Sequence, residues 1–341
     1  MSNSTKSVHI LIFPYPAQGH ILPLLDLTHQ LALHGLTLTI LVTPKNLPTL
    51  NPLLSAHPSI QTLVLPLPHH PSLPAGVENV REIGHPGIVP IINALGKLHD
   101  PITQWFKSHP NSPVALISDF FLGWTLHLAD QLGIPRIAFY SSGAFLTSLI
   151  NFLWQNVKTV RSLPAVNFPN LPRSPCFAAE HLPSSFRVYR ESDPDTEFLR
   201  DGFLANTRSW GSIFNSFDGL EGEYLDHLRK ETGHGQVWGV GPLSLVGADE
   251  AIGRVNPDQN SGGGVLSWLD GCPNGSVVYV CFGIPNSVEL ARTIAESMSG
   301  NTAQKVKAKH LRDKAIEAVK VGGSSWKELE ALVRELAQLG R

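Results

Sequence analysis

The sequence predicts an α/β protein built on a doubly wound parallel sheet, with a second, smaller α/β unit behind it. Three observations predict this. Apolar, β-rich runs alternate with helix-like segments through the first 240 residues, the pattern of parallel strands joined by crossover helices. The runs are continuous rather than alternating in polarity, as strands buried on both faces require. The first run also leads into a Pro/Gly loop, PYPAQGH at residues 14–20, that opens directly into an amphipathic helix. Many nucleotide-binding α/β domains begin in this way.

The strands are expected at 8–13 (VHILIF), 36–42 (LTLTILV), 60–66 (IQTLVLP), 114–118 (VALIS), 135–140 (PRIAFY), 212–216 (SIFNS) and 236–240 (QVWGV). Helical periodicity fills 21–34, 87–108 and 122–132 between them. Residues 160–195 carry Pro164, Pro169, Pro172, Pro175, Pro183 and Pro194 and read as a long surface excursion. The first domain is thus assigned to residues 1–241. Residues 242–264 lose the apolar period and end in Ser261-Gly262-Gly263-Gly264, the composition of a linker. A second α/β unit starts with a short helix at Val265-Leu266-Ser267-Trp268-Leu269-Asp270 and a strand at 276–282. It then stops: from Gly283 onward the pattern is helical, at about 286–299, 301–320 and 325–339, the last opened by a capping box, Ser325-Trp326-Lys327-Glu328. The basic run Lys305, Lys307, Lys309, Arg312, Lys314 reads as a solvated helix face.

Bulk properties narrow the function. With 42% hydrophobic and 16% charged residues, the chain has material for real cores. A net charge of −2 excludes the electrostatic footprint of a nucleic-acid binder. Cys176, Cys272 and Cys281 are odd in number and far apart, which fits a reducing compartment and neither a disulfide framework nor a zinc site. Most of the 15 histidines fall in loops such as Pro68-His69-His70-Pro71, where solvation is the simple reading. The N-terminal apolar run is short and broken by Pro14 and Pro16, so no signal peptide is expected. No segment reaches the ~20 apolar residues of a membrane span. The expectation is a cytoplasmic protein, and nothing in the sequence speaks to its oligomeric state.

The loop after the first strand has one glycine, Gly19, and a histidine, His20, at the helix start. In an open sheet, ligands sit beyond the carboxyl ends of the strands where strand order reverses. With an order 3-2-1-4-5, strands 1 and 4 flank that point. Strand 4 runs into Ser118-Asp119-Phe120-Phe121, so Asp119 meets His20 across the crevice from 99 residues away. A carboxylate on one ring nitrogen fixes the tautomer and makes the other nitrogen more basic. Two plainer readings stand beside this one: a histidine settled in a loop, and a carboxylate that caps the next helix. No Gly-x-Ser-x-Gly elbow supports a serine hydrolase. A dehydrogenase would need the glycine fingerprint and a ribose-binding acid after strand 2, which ends instead in Val42-Thr43-Pro44-Lys45. A base without a nucleophile suits deprotonation of a substrate hydroxyl that then attacks an activated electrophile.

Pro16-Ala17-Gln18-Gly19-His20-Ile21-Leu22-Pro23 resembles the opening motif of plant family 1 UDP-glycosyltransferases. The likeness extends through Ile117-Ser118-Asp119-Phe120 with Trp124, Gly239-Val240-Gly241-Pro242-Leu243, Trp268-Leu269-Asp270 and Ser276-Val277-Val278-Tyr279-Val280-Cys281-Phe282-Gly283. The tail, Val288-Glu289-Leu290-Ala291 with Gly322-Gly323-Ser324-Ser325-Trp326, is similar to the end of flavonoid- and phenolic-modifying members. The resemblance implies the GT-B architecture, two facing Rossmann-like domains that hold a phenolic acceptor and a UDP-sugar. It implies His20 as general base, Asp119 as its partner, inversion at the anomeric carbon, and no metal or cofactor beyond the UDP-sugar co-substrate. Acceptor contacts are expected from Gln18, Gly19, Phe120, Trp124, Ser141, Ser142 and Phe145, and donor contacts from Gly19 and Gly283. The chain departs from the family after Gly283. The signature box with its Trp-Ala-Pro-Gln start and His-Cys-Gly-Trp-Asn-Ser core is missing. Residues 265–341 therefore read as a donor-domain remnant after an internal deletion, leaving activity impaired. A non-catalytic module that binds aglycones or partner proteins is the alternative.

Overall fold

A computed structural model describes residues 8–246, 263–273, 276–277 and 303–340. Seven parallel strands form one sheet: β1 (His9–Phe13), β2 (Thr37–Val42), β3 (Gln61–Val64), β4 (Ala115–Asp119), β5 (Arg136–Tyr140), β8 (Gly211–Phe214) and β9 (Val237–Gly239). Their order is β3-β2-β1-β4-β5-β8-β9. Ile10 pairs with Leu38 on one side and Ala115 on the other. The order reverses between β1 and β4, where the sequence places it. Apart from β3, the strands read as unbroken apolar runs because both faces are covered. β3 stands at the edge of the sheet, and there only Leu63 is buried while Gln61, Thr62 and Val64 are exposed, so the expectation of burial on both faces fails for this strand. Leu11 and Phe13 of β1 join Leu116 in one core, while Ile10 and Ile12 join Ile117 and Ile40 in the other.

Several elements differ from the sequence expectation. The helix expected over 87–108 is two, Ile88–Gly96 and His99–Ser108, broken at Lys97-Leu98. The proline-rich stretch runs along the surface, with about half of its residues exposed, but it is anchored to the core. Within it β6 (Ala165–Asn167) and β7 (Cys176–Ala178) pair antiparallel. Val166, Phe168, Leu171, Leu182, Phe186 and Tyr189 are buried against the main core. Prolines hold such a segment extended, which does not prevent apolar side chains between them from reaching inward. The histidines also divide differently: His9, His29 and His70 are buried. His9 is bonded to the Asn111 carbonyl and to Thr39 Oγ1.

Of the expected second unit, the short helix is present at Gly263–Asp270, and further helices at Ala303–Val319 and Ser324–Leu339. The basic run lies on the exposed surface of the first of these two. Residues 247–262 of the linker, most of the strand at 276–282, the helix at 286–299 and Gly283 lie outside the described residues, while Gly263 and Gly264, assigned to the linker, open the short helix. The last helix packs on the large sheet, its Leu329, Leu332 and Leu336 buried in the core with Ile10 and Ile12. Its start has no capping box. Gly323 is the N-cap without a side-chain bond, Ser325 Oγ donates to the Gly241 carbonyl, and Glu328 pairs with Arg229 at 3.2 Å. Tertiary partners have taken both side chains that a local cap would use.

Candidate functional site at the carboxyl ends of β1 and β4

β1 ends at Phe13, and the chain turns through Pro14–Ala17 into the helix Gln18–Leu33. His20 sits in that helix's first turn. Its backbone N–H bonds the Ala17 carbonyl at 2.9 Å, so the ring is anchored to a regular element. β4 ends at Asp119, which is fully buried. Asp119 Oδ2 accepts from His20 Nδ1 at 2.9 Å, and its Oδ1 accepts from the Phe121 backbone N–H at 2.9 Å. The pairing and the capping readings of Asp119 therefore both hold, one oxygen for each. With Nδ1–H committed, Nε2 carries the lone pair.

Aromatic rings frame His20. Phe120 stacks on it with centroids 5.4 Å apart, Phe121 lies at 4.7 Å, and Tyr15 meets it edge-on at 5.3 Å. Burial lowers the imidazole's pKa, but the charge of Asp119 and its hydrogen bond outweigh that and leave it above its ordinary value. The Tyr15 hydroxyl donates to the Ile88 carbonyl at 3.0 Å. Its pKa is pushed well up, first by burial and then by Asp119.

Phe120 and Phe121 also line a cavity of about 400 Å³, within the range of small-molecule sites. Its walls are mainly apolar, including Ile88, Leu146, Ile150, Val188 and Leu199, with His85 and Ser184 bonded to each other at 3.0 Å. Of the expected acceptor contacts, Phe120 lines this cavity and the others do not. Gln18 and Gly19 are exposed beside His20. Trp124 is buried edge-on to Phe13 at 6.1 Å, a core residue. Ser141 and Ser142 are half-buried beyond β5. Phe145 packs on Tyr224 at 4.9 Å and on Phe177 at 6.3 Å. In the helix Ala144–Gln155 it is the next residue, Leu146, and Ile150 one turn on that face the cavity. Helical spacing alone gives the i, i+4 pair, but the phase needs the packed structure. Among the described residues no group of three or more His, Cys, Asp or Glu could hold a metal ion, and no helix is long and apolar enough to cross a membrane.

A parallel sheet with a histidine–carboxylate pair at its switch point and an apolar cavity beside it is the framework of an α/β protein with a small-molecule site. The family profile described as "Glycosyltransferase, N-terminal domain" matches residues 6–245. UDP-glycosyltransferase 89B2 of Stevia rebaudiana is 52% identical over 288 residues, covering 83% of this chain and 61% of that protein. Flavonol 3-O-glucosyltransferase UGT89B1 of Arabidopsis thaliana is 46% identical over 301 residues, covering 86% and 62%. The crystal structure of Arabidopsis thaliana UGT89C1 complexed with UDP superposes with a TM-score of 0.74 at 26% identity, covering 97% of this chain and 100% of that one. The same protein complexed with quercetin gives 0.73. The chain belongs to the plant family 1 UDP-glycosyltransferases, whose fold is GT-B. It spans 61% of the length of the first of these relatives.

Proposed function

We propose that residues 8–246 with the last helix form the acceptor-binding half of an inverting glycosyltransferase for flavonoids or other small phenols. The observation that carries this reading is the His20–Asp119 pair, 2.9 Å apart, beside an apolar cavity that shares Phe120 and Phe121 with it. A phenolic acceptor lies in the cavity with its hydroxyl at His20 Nε2. As the oxygen attacks the anomeric carbon of a UDP-sugar, glucose being the donor proposed, its proton passes to Nε2 and the bond to UDP breaks. Asp119 holds the ring and stabilises the imidazolium. A phenol of pKa near 10 lies about 3.5 units above an ordinary histidine, about 5 kcal/mol for full transfer. The raised pKa of His20 narrows that gap, and proton removal concerted with C–O bond formation covers the rest. No metal is required, because UDP is itself a stable leaving group. The setting is cytoplasmic.

In this reading Gln18, Gly19, Ser141 and Ser142 border the cleft rather than the cavity. The donor side belongs to the part of the family's length that the chain lacks, with Gly19 and Gly283 as surviving contacts. The 341-residue chain then binds acceptor but transfers sugar poorly. A binding module without turnover is the second reading, favoured by the missing signature box after Gly283. Equilibrium binding of a flavonol, run beside product analysis with UDP-glucose, tests both. Flavonol affinity without glucoside supports a binding module, glucoside formation supports an enzyme, and no affinity sinks the acceptor site.

A further inference from the structure

We propose that Arg136 is a positioning residue for the His20–Asp119 pair, supplying a standing positive charge beside Asp119 while His20 is neutral. Arg136 opens β5, opposite Leu116 of β4, and is 1% exposed. Its Nε donates to Ser118 Oγ at 2.9 Å, and Nη1 to Asn206 Oδ1 at 2.6 Å and Ser209 Oγ at 2.8 Å. Nη2 donates to the backbone carbonyl of Asp119 at 3.2 Å. All four acceptors are neutral. A buried guanidinium with neutral partners is costly unless an opposite charge lies close. Asp119 provides it, buried on the adjacent strand, held by Arg136 through its own carbonyl while its carboxylate faces His20.

The charge count makes the chemical point. With His20 neutral, the buried set holds one positive and one negative charge and balances. Without Arg136, the Asp119 carboxylate is balanced only when His20 takes a proton, and a base that is already protonated cannot accept the substrate's. The other titratable groups facing the pair do not replace that charge. Tyr15, from the loop after β1, and Tyr140, on β5, are both pushed upward by burial first and stay neutral. Glu231, which acts on Tyr140 from the helix Asp218–Thr232, is negative. Burial pulls Arg136 itself down to about 10, with Tyr140 and Asp119 opposing the fall, so it remains charged at neutral pH. The same group also shapes the wall. Asn206, held by Arg136, donates to the Phe120 carbonyl at 2.8 Å, and Phe120 stacks on His20.

This inference rests on reading His20 as the base, yet its test is independent of turnover. The full 341-residue chain is labelled with ¹³C at histidine Cε1, and the His20 resonance is assigned by its loss in His20→Gln. Its titration is followed in the parent, Arg136→Lys and Arg136→Gln. Arg136→Lys keeps the charge and loses the planar fork, so the His20 midpoint should stay within about 0.3 pH units. Arg136→Gln loses the charge, and the midpoint should rise by about one unit, a tenfold gain in proton affinity. An unmoved midpoint in Arg136→Gln, or equal movement in both variants, overturns the proposal. If Arg136→Gln does not fold, Arg136→Lys decides: an unmoved titration despite the lost fork supports the charge role, and a moved one overturns it. Turnover by a chain with the donor half restored reports separately on whether His20 is the base.

Discussion

Leu332→Ala should destabilise the whole sheet, although residue 332 lies more than ninety positions beyond β9, the last strand of that sheet. Leu332 is fully buried in a core with Ile10 and Ile12 of β1, Ile117 of β4 and Ile21 and Leu24 of the helix Gln18–Leu33. The change removes three carbons, about 2.4 kcal/mol at about 0.8 per methylene. The hole left behind raises this to about 3–4 kcal/mol, within the span seen for buried Leu→Ala changes. At about 2–4 °C per kcal/mol for domains of 150–250 residues, the melting midpoint should fall by roughly 6–16 °C. Near-ultraviolet circular dichroism against temperature reads it. Val321→Ala, at a position 85% exposed, serves as the control and should stay within about 0.5 kcal/mol. A loss below about 1 kcal/mol for Leu332→Ala, matching the control, would refute the claim that the terminal helix is part of the first core.

Three further outcomes are expected. In a chain with the donor half restored, His20→Ala should lower kcat by at least about 10²-fold, the usual share of a general base, and Asp119→Asn should lower it by misorienting the ring; near-normal turnover in His20→Ala would defeat the assignment. The 341-residue chain should show no micromolar affinity for UDP by isothermal titration and make no flavonol glucoside from UDP-glucose, since positioning of the donor supplies about 7–11 kcal/mol of the barrier reduction; either signal, if abolished by a donor-side competitor, would contradict this. His34 and Glu330 join the first helix to the last at 2.9 Å, and although burial lowers His34, the Gln30 carbonyl and Glu330 leave it above its ordinary 6.5. That contribution is full below pH 6.5 and fades as pH rises through the raised folded value; being partly exposed it amounts to at most about 1 kcal/mol, so Glu330→Gln should cost stability at pH 6 but not at pH 9, and a loss equal at both would count against the pair.

The positions of the seven strands of the large sheet, the burial of all but the edge strand β3, and the meeting of His20 with Asp119 were legible in the sequence, whereas the β6–β7 pair in the proline-rich stretch was not. Each legible feature follows from a short-range signal, an apolar run or a helix start, combined with one topological rule about where parallel sheets reverse. Residues 99 positions apart could be joined because both stand at strand ends, where the backbone itself dictates the direction of approach. The cavity lining was less legible. Phe145 and Trp124 are as apolar and aromatic as Phe120 and Phe121, and only the packed helix phase sends Leu146 outward to the cavity and Phe145 back to Tyr224.

Tertiary structure alone decided the partners of polar groups that have more than one local use. Ser325 and Glu328 carry the spacing of a capping box, but a bond to the Gly241 carbonyl and an ion pair with Arg229 draw them away. Arg136 reads in one dimension as a charged residue at a strand start, and in three it is a buried cation behind the pair. Local pattern states what an element is, because propensity and periodicity act over a few residues. It does not state which distant surface the element meets, because that is set by burying the most apolar area and satisfying the most polar groups over the whole chain at once.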